Sequence, residues 1–255
     1  MTTQKTEYCM VCGSGLDRLE KAEEQTCIYC ARTAAEPLKC PEGHFICDTC
    51  RTADPMAVVE GLVITTPLRN PFLIAELLMD HPALPVTGCE HAFIAAGSLL
   101  AALKNSPYGR VSDQDIREVY RRTALQAKTD ACGLTGVCGI VPAIGSCFSL
   151  ILQAGSQSDR EQRMVMDATV RVSAAIARQA GPSCCQASVR SALDESVSIL
   201  AERFGIALPR SISPVICRHS GKLPQGCREE KCPYYQQAKN ISNPAIPHPG
   251  DTYRS

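Results

Sequence analysis

Sixteen cysteines in 255 residues dominate what this sequence can do chemically. The first fifty residues hold Cys9-Met-Val-Cys12, Cys27-Ile-Tyr-Cys30 and Cys40-Pro-Glu-Gly-His44-Phe-Ile-Cys47-Asp-Thr-Cys50. Two Cys-x2-Cys pairs have the spacing of a four-cysteine zinc site, and the third group completes a second tetrahedral set. So short a stretch, with few large apolar side chains, cannot bury much of a core, and metal has to stabilise it. Sequential sharing would set Cys9/Cys12/Cys27/Cys30 against Cys40/His44/Cys47/Cys50. A cross-braced arrangement would interleave them, and the spacing leaves both open.

A second group centres on Asp130-Ala-Cys132-Gly-Leu-Thr-Gly-Val-Cys138-Gly-Ile-Val-Pro142-Ala-Ile-Gly-Ser-Cys147. Glycines let a backbone approach whatever the cysteines hold, and Pro142 suits the first turn of a helix. Cys132 and Cys138 then belong to a tight loop, with Cys147 about a turn and a half inside the next helix. The alternative is close helix packing, with cysteine as a small apolar residue. Thr87-Gly-Cys89-Glu90 and Ser183-Cys184-Cys185-Gln186 each read as a capping box with cysteine in the first turn. Unpaired N–H groups and the helix dipole there favour the thiolate that binds metal or attacks. His91, next but one to Cys89, reads as a polar-faced residue before it reads as a ligand.

These features predict an iron–sulfur cluster, of the [4Fe-4S] kind, held among Cys89, Cys132, Cys138, Cys147, Cys184 and Cys185. Adjacent cysteines rarely bridge each other. Cys184 and Cys185 are therefore also the candidate catalytic pair, as persulfide carrier or redox couple, unless they are two buried small residues. A third group, Cys217, Cys227 and Cys232 with His219, either forms another zinc site or lends a ligand to the central one.

The elements that position these residues read as helices. Asn70-Pro71 opens one over Phe72–Met79, and His81 follows in a proline-bounded turn as a surface residue. Ser112 caps a polar helix to about Lys128, and Gly155 stops the one that follows the central loop. Ser158-Asp-Arg-Glu161 caps a helix with Val165, Ala168, Val172 and Ala175 on one stripe, and Gly205 ends the last helix at Phe204. The fold class is mainly α: a helical bundle-like core with a small ribbon or treble-clef-like zinc module. The boundaries fall at 1–52 for the module, 53–210 for the core, 211–239 for a cysteine-rich extension and 240–255 for a disordered tail.

Formal net charge is zero and the sequence pI is about 6.9, so no basic field invites nucleic acid or an acidic membrane surface. The longest apolar stretch, Ile140 to Leu152, is too short to span a bilayer. The polar N-terminus carries no signal-peptide core, which predicts a cytoplasmic chain with reduced thiols and metal rather than disulfides. No Ser-His-Asp set, phosphate loop or nucleotide fingerprint appears.

Gly43-His-Phe-Ile-Cys-Asp-Thr-Cys50 resembles the middle of a RING finger. The Cys-x2-Cys pair that a RING would show next is missing, which argues against a ubiquitin ligase. That run, the Cys132/Cys138 glycine core, Gly181-Pro-Ser-Cys184-Cys185 and Cys232-Pro-Tyr-Tyr235 together resemble an uncharacterised cysteine-rich family of anaerobic bacteria and archaea, often linked to radical-SAM proteins. More distantly, Cys89, Ala131-Cys132-Gly133 and Cys184-Cys185 resemble the redox-active proteins with a C…GCAxxG…C…C motif, although the middle motif departs from that pattern. The Gly-rich cysteine loops are loosely similar to those of iron–sulfur serine dehydratases. The resemblances imply a redox or sulfur-transfer role in anaerobic metabolism, with a protein partner such as a radical-SAM enzyme and with room for a homo-oligomer. The alternatives are a non-catalytic zinc-binding assembly or adaptor protein and an Fe–S lyase.

Overall fold

The computed structural model describes residues 7–10, 14–179, 181–210 and 217–235. Cys12 and the 240–255 tail lie outside the described residues. The chain divides into two units: residues up to Asp54 with Asp80–Ala83 form one, and the remaining described residues form the other.

The N-terminal unit is an antiparallel hairpin of β1 (Asp17–Thr26) and β2 (Thr33–Lys39), followed by the single-turn helix α1 (Asp48–Arg51). Both strands are charged and mostly exposed, so neither face of the sheet builds a core. The buried apolar cluster here is Cys9 and Cys40, with Leu16, Ile28 and Ile46 against them. A unit with so little to bury needs a cross-link, and the cysteines are placed to supply one. His81 corrects an expectation. It is buried, its ring tilted at 58° against Tyr29 with 4.0 Å between ring centroids, and Nδ1 accepts from the Ala83 N–H. The turn around it is polar in sequence, but the ring finds an aromatic partner that local sequence does not reveal.

The helical unit contains α2 (Pro55–Thr65), α3 (Pro71–Met79), α4 (Glu90–Asn105), α5 (Asp113–Gln126), α6 (Ala131–Thr135), α7 (Ile140–Leu152), α8 (Asp159–Ala177) and α9 (Cys185–Phe204). Helix α4 is its axis: His91 to Leu103 are almost all buried, and α2, α3, α5, α7 and α9 pack around it. Alanine and glycine along α4 let those neighbours come close. At Gly97 the space a Cβ would fill is already taken by the Tyr120 hydroxyl and Val63. Helix α5 buries Ile116, Val119, Tyr120 and Thr123, the i, i+3, i+4, i+7 stripe of an amphipathic helix. The buried stripe of α8 is Ala168, Val172 and Ala175, as the sequence pattern requires. Arg190 of α9, almost wholly buried, makes a bidentate pair with Glu76 of α3 at 2.7 Å through both Nε and Nη2. The fold is mainly helical, and no described helix is long and apolar enough to cross a membrane.

The helix starts are only partly those the sequence predicts. Asn70 Oδ1 does accept from the Phe72 and Leu73 N–H groups, and Ser112 forms a full capping box with Asp115. The Thr87/Glu90 and Ser183/Gln186 boxes do not form. Cys89 and Cys184 are themselves the capping residues, without a side-chain cap bond, because each helix starts later than its box requires. Ser158 is a cap by position, but its hydroxyl is taken by the N–H and carbonyl of Gly155. Helix α7 stops not at Gly155 but at Gln153, in the left-handed conformation with φ of 52°.

Candidate metal centres

The hairpin decides which N-terminal residues meet. Asp17 pairs with Lys39, so β2 returns Cys40 to the start of β1. There Cys9 sits on a small loop closed by a Cys9 N–H bond to the Ser14 carbonyl and a Leu16 N–H bond to the Glu7 carbonyl, each 2.8 Å. At the other end, Cys27 and Cys30 occupy the turn between the strands. The Ile28 N–H donates to the Phe45 carbonyl at 3.0 Å, bringing the chain after His44 back to that turn. The ligand sharing is therefore interleaved. Cys27, Cys30, Cys47 and Cys50 form one group, and Cys9, Cys40 and His44 the other, with ligand atoms within 4.8 Å of one another in each.

Within the first group Cys30 Sγ and Cys47 Sγ are 3.6 Å apart. A Zn–S bond of about 2.3 Å gives a tetrahedral S–S edge of about 3.8 Å, so the four sulfurs fit a single ion. Burial pushes the Cys27 thiol up, but N–H groups of Cys47, Cys30 and Tyr29 outweigh it and bring it down to about 7. Burial and the crowding of neighbouring thiols push Cys50 well up. Thiols this close compete for charge, and a cation resolves that competition by deprotonating all of them. In the second group Cys40 Sγ lies 3.6 Å from His44 Nδ1. This N-terminal pair of groups could hold metal such as zinc.

In the helical unit, three helix starts carry cysteines near enough to act on one another electrostatically. Cys89 caps α4, Cys138 precedes α7 and Cys185 opens α9. Gly139 packs against Ala92 and Ala127, since a Cβ there would sit 3.2 Å from Ala127 and 3.8 Å from Ala92 Cβ. That fixes the start of α7 on the first turn of α4. The Gly88 backbone lies beside the Cys185 thiol, joining the starts of α4 and α9, and the Ile140 backbone lies beside the Cys138 thiol, each opposing the rise that burial causes. Cys132, exposed on the short α6, completes the set. Burial raises the Cys89 thiol, and the charges of Cys132, Glu90, Cys138 and Asp130 add to it. Burial likewise raises Cys185, with Gly88 opposing and Cys138, Cys184 and Cys132 reinforcing, to about 11.

Two predicted members are elsewhere. Cys147 is fully buried, two turns into α7, with its sulfur 3.7 Å from the Ala96 carbonyl. It packs as a small apolar residue, and burial alone drives its thiol well up. Cys184, in extended backbone (φ −135°, ψ 106°), precedes the first helical residue Cys185. It lines a cavity with Cys217, Cys227 and Cys232. No disulfide joins the described cysteines of the helical unit.

His91 is buried rather than polar-faced. Its Nδ1–H donates to the Gly88 carbonyl at 3.2 Å, and Nε2 has no hydrogen-bond partner among the described residues. Burial lowers it to about 4, so it is neutral at neutral pH. The sequence signal for it was weak, since one histidine in a first turn is common. Nothing in the sequence marked Arg190, whose guanidinium reaches Cys217 and lies 4.9 Å from the centroid of the Tyr234 ring.

Residues 59–235, more than two thirds of the chain, match the family described as a family of unknown function, DUF5714, and the chain belongs to that family. The match covers every cysteine of the helical unit and begins after the N-terminal one. No curated protein and no solved structure matches the chain.

Proposed function

We propose that this DUF5714 protein holds an iron–sulfur cluster on Cys89, Cys132, Cys138 and Cys185 and serves a redox or sulfur-transfer reaction. The observation that carries the reading is that three helix starts each bring a thiol, with the start of α7 packed on the first turn of α4 and the thiols close enough to act on one another. Soft thiolates select iron–sulfur chemistry, and N–H donors to cluster sulfurs tune its potential. The backbones of Gly88 and Ile140, beside Cys185 and Cys138, are placed to serve as such donors.

Spacing separates this site from the N-terminal ones. Among the described residues, the groups with all ligand atoms within 4.8 Å lie in the N-terminal unit. The helical set falls outside those close groups, which leaves room for a polynuclear group between the thiolates. Such a group, when bound, supplies one-electron transfer. The chain holds three thiols in the shelter of helix starts and leaves Cys132 at the surface, where an electron or a sulfur atom can be passed on. A radical-SAM partner and an anaerobic setting rest on the sequence resemblance alone.

The closeness of the Cys27/Cys30/Cys47/Cys50 sulfurs favours a second reading, a zinc-binding adaptor whose N-terminal unit grips a partner. The two readings part on purification without air. The first expects iron and acid-labile sulfide that Cys138→Ala and Cys185→Ala lose and Cys147→Ala keeps. A colourless protein that carries only zinc refutes it.

A further inference from the structure

The C-terminal segment 217–235 has little of its own to fold around. Its regular structure is two single-turn 3₁₀ pieces, Ser220–Lys222 and Glu229–Lys231. It is nonetheless fastened to the start of α9. Arg228 Nε donates to the Pro182 carbonyl and Nη1 to Gln179 Oε1, each at 2.7 Å, and Gln225 donates to the Ser183 carbonyl. Its two ends are tied by the Cys217 N–H bond to the Tyr234 carbonyl at 3.0 Å.

Inside this loop a cavity of about 10 Å³ is lined by Cys184, Cys217, Cys227 and Cys232. That is about the space of one small species. The Glu229 N–H donates to Cys227 Sγ at 3.4 Å, and the nearly buried Arg190 lines the same cavity beside Cys217. His219, which sequence spacing offered as the fourth ligand, is not among the lining residues, and Cys184 takes that place. Four cysteines around one small cavity, in a segment without an apolar core, have the donor chemistry of a thiophilic metal site that stabilises its own fold.

We propose that the helical unit carries a second four-thiolate metal centre, built from Cys184, Cys217, Cys227 and Cys232, and that the adjacent pair Cys184-Cys185 gives one thiolate to each centre. Cys184 lines the cavity and Cys185 does not, so one peptide link joins the sites. Only the assignment of Cys185 rests on the function proposed above. The second centre stands on its own residues.

The test is iron, zinc and sulfide content of the full-length protein purified without air. Cys184→Ala and Cys232→Ala should each lose the same share of metal, and the double variant no more than either. Cys184→Ala combined with Cys138→Ala should lose the sum of two shares. Loss of zinc identifies a single ion; loss of iron with sulfide identifies a cluster. Wild-type metal content in Cys232→Ala overturns the proposal, as does a shared, non-additive loss between Cys184→Ala and Cys138→Ala. If Cys184→Ala does not fold, Cys227→Ser, in the loop beyond α9, gives the same readout against Cys138→Ala. If the chain binds no iron but still loses zinc through Cys232→Ala, the second centre survives and the cluster assignment falls.

Discussion

Replacing Gly97 by alanine tests how α4 positions the cysteine-bearing helix starts. The added Cβ would overlap the Tyr120 hydroxyl and lie 2.8 Å from Val63 Cγ2 and 3.1 Å from Tyr120 Cζ. Val63 is fully buried and Tyr120 nearly so, and the Tyr120 ring is also held edge-on against Phe93 at 5.5 Å, so neither can swing away. Alanine gains about 1 kcal/mol of helix propensity over glycine, while overpacking costs about 1–3 kcal/mol and more where the neighbours are rigid. The second effect wins, with a net loss of about 2 kcal/mol. Tyr120→Phe removes the clashing hydroxyl, which is buried with no hydrogen-bond partner among the described residues. Leaving such a group unsatisfied costs about 1–3 kcal/mol, so Tyr120→Phe alone should be neutral to stabilising. In the double variant, relief of the clash should return about 1–2 kcal/mol as coupling between contacting sites. Urea denaturation followed by far-ultraviolet circular dichroism, with unchanged slope, measures all four corners of the cycle. A Gly97→Ala protein as stable as the parent, or zero coupling, would show that α5 does not press on α4 here.

Burial holds His81 neutral and lowers it to about 4 from an ordinary 6.5. Between those values the unfolded chain binds more protons, so the stability His81 contributes is present above pH 6.5 and lost as pH falls toward 4, by up to about 3 kcal/mol. His81→Phe, which keeps a ring against Tyr29, should flatten that acid limb, and an unchanged limb in pH-dependent denaturation counts against a buried neutral ring. Cys27→Ser should remove about one zinc per chain and loosen the hairpin turn while leaving the metal of the helical unit in place. Equal zinc in variant and parent, by elemental analysis, would sink the four-sulfur group.

Much of the fold is legible because its signals are local. Asn70-Pro71, the Ser112 cap and the Val172 stripe each carry their answer within one helix turn or two. The N-terminal ligands are legible for the same reason, since Cys-x2-Cys spacing is set by a single turn. Which of them meet is not local: the return of β2 brings Cys40 to Cys9, and chain spacing says nothing of that return. The capping boxes misled because serine or threonine followed by Glu or Gln fits several starting positions, and Cys89 and Cys184 took the cap instead. Cys147 shares a glycine-rich stretch with Cys132 and Cys138 but lies on the buried face of α7, a distinction only packing makes. The division of Cys184 from Cys185 turns on which of the two lines the cavity, which no residue type at that position dictates.

The most direct test of the central claim is the iron-edge X-ray absorption of full-length protein purified without air, with Cys132→Ala and Cys185→Ala beside it. Iron bound by sulfur alone, with an iron neighbour beyond it, is expected, and each variant should lose the share of iron held on Cys89, Cys132, Cys138 and Cys185 while circular dichroism keeps the helices. Iron bound by oxygen or nitrogen, or no iron in a protein whose zinc is complete, would contradict it.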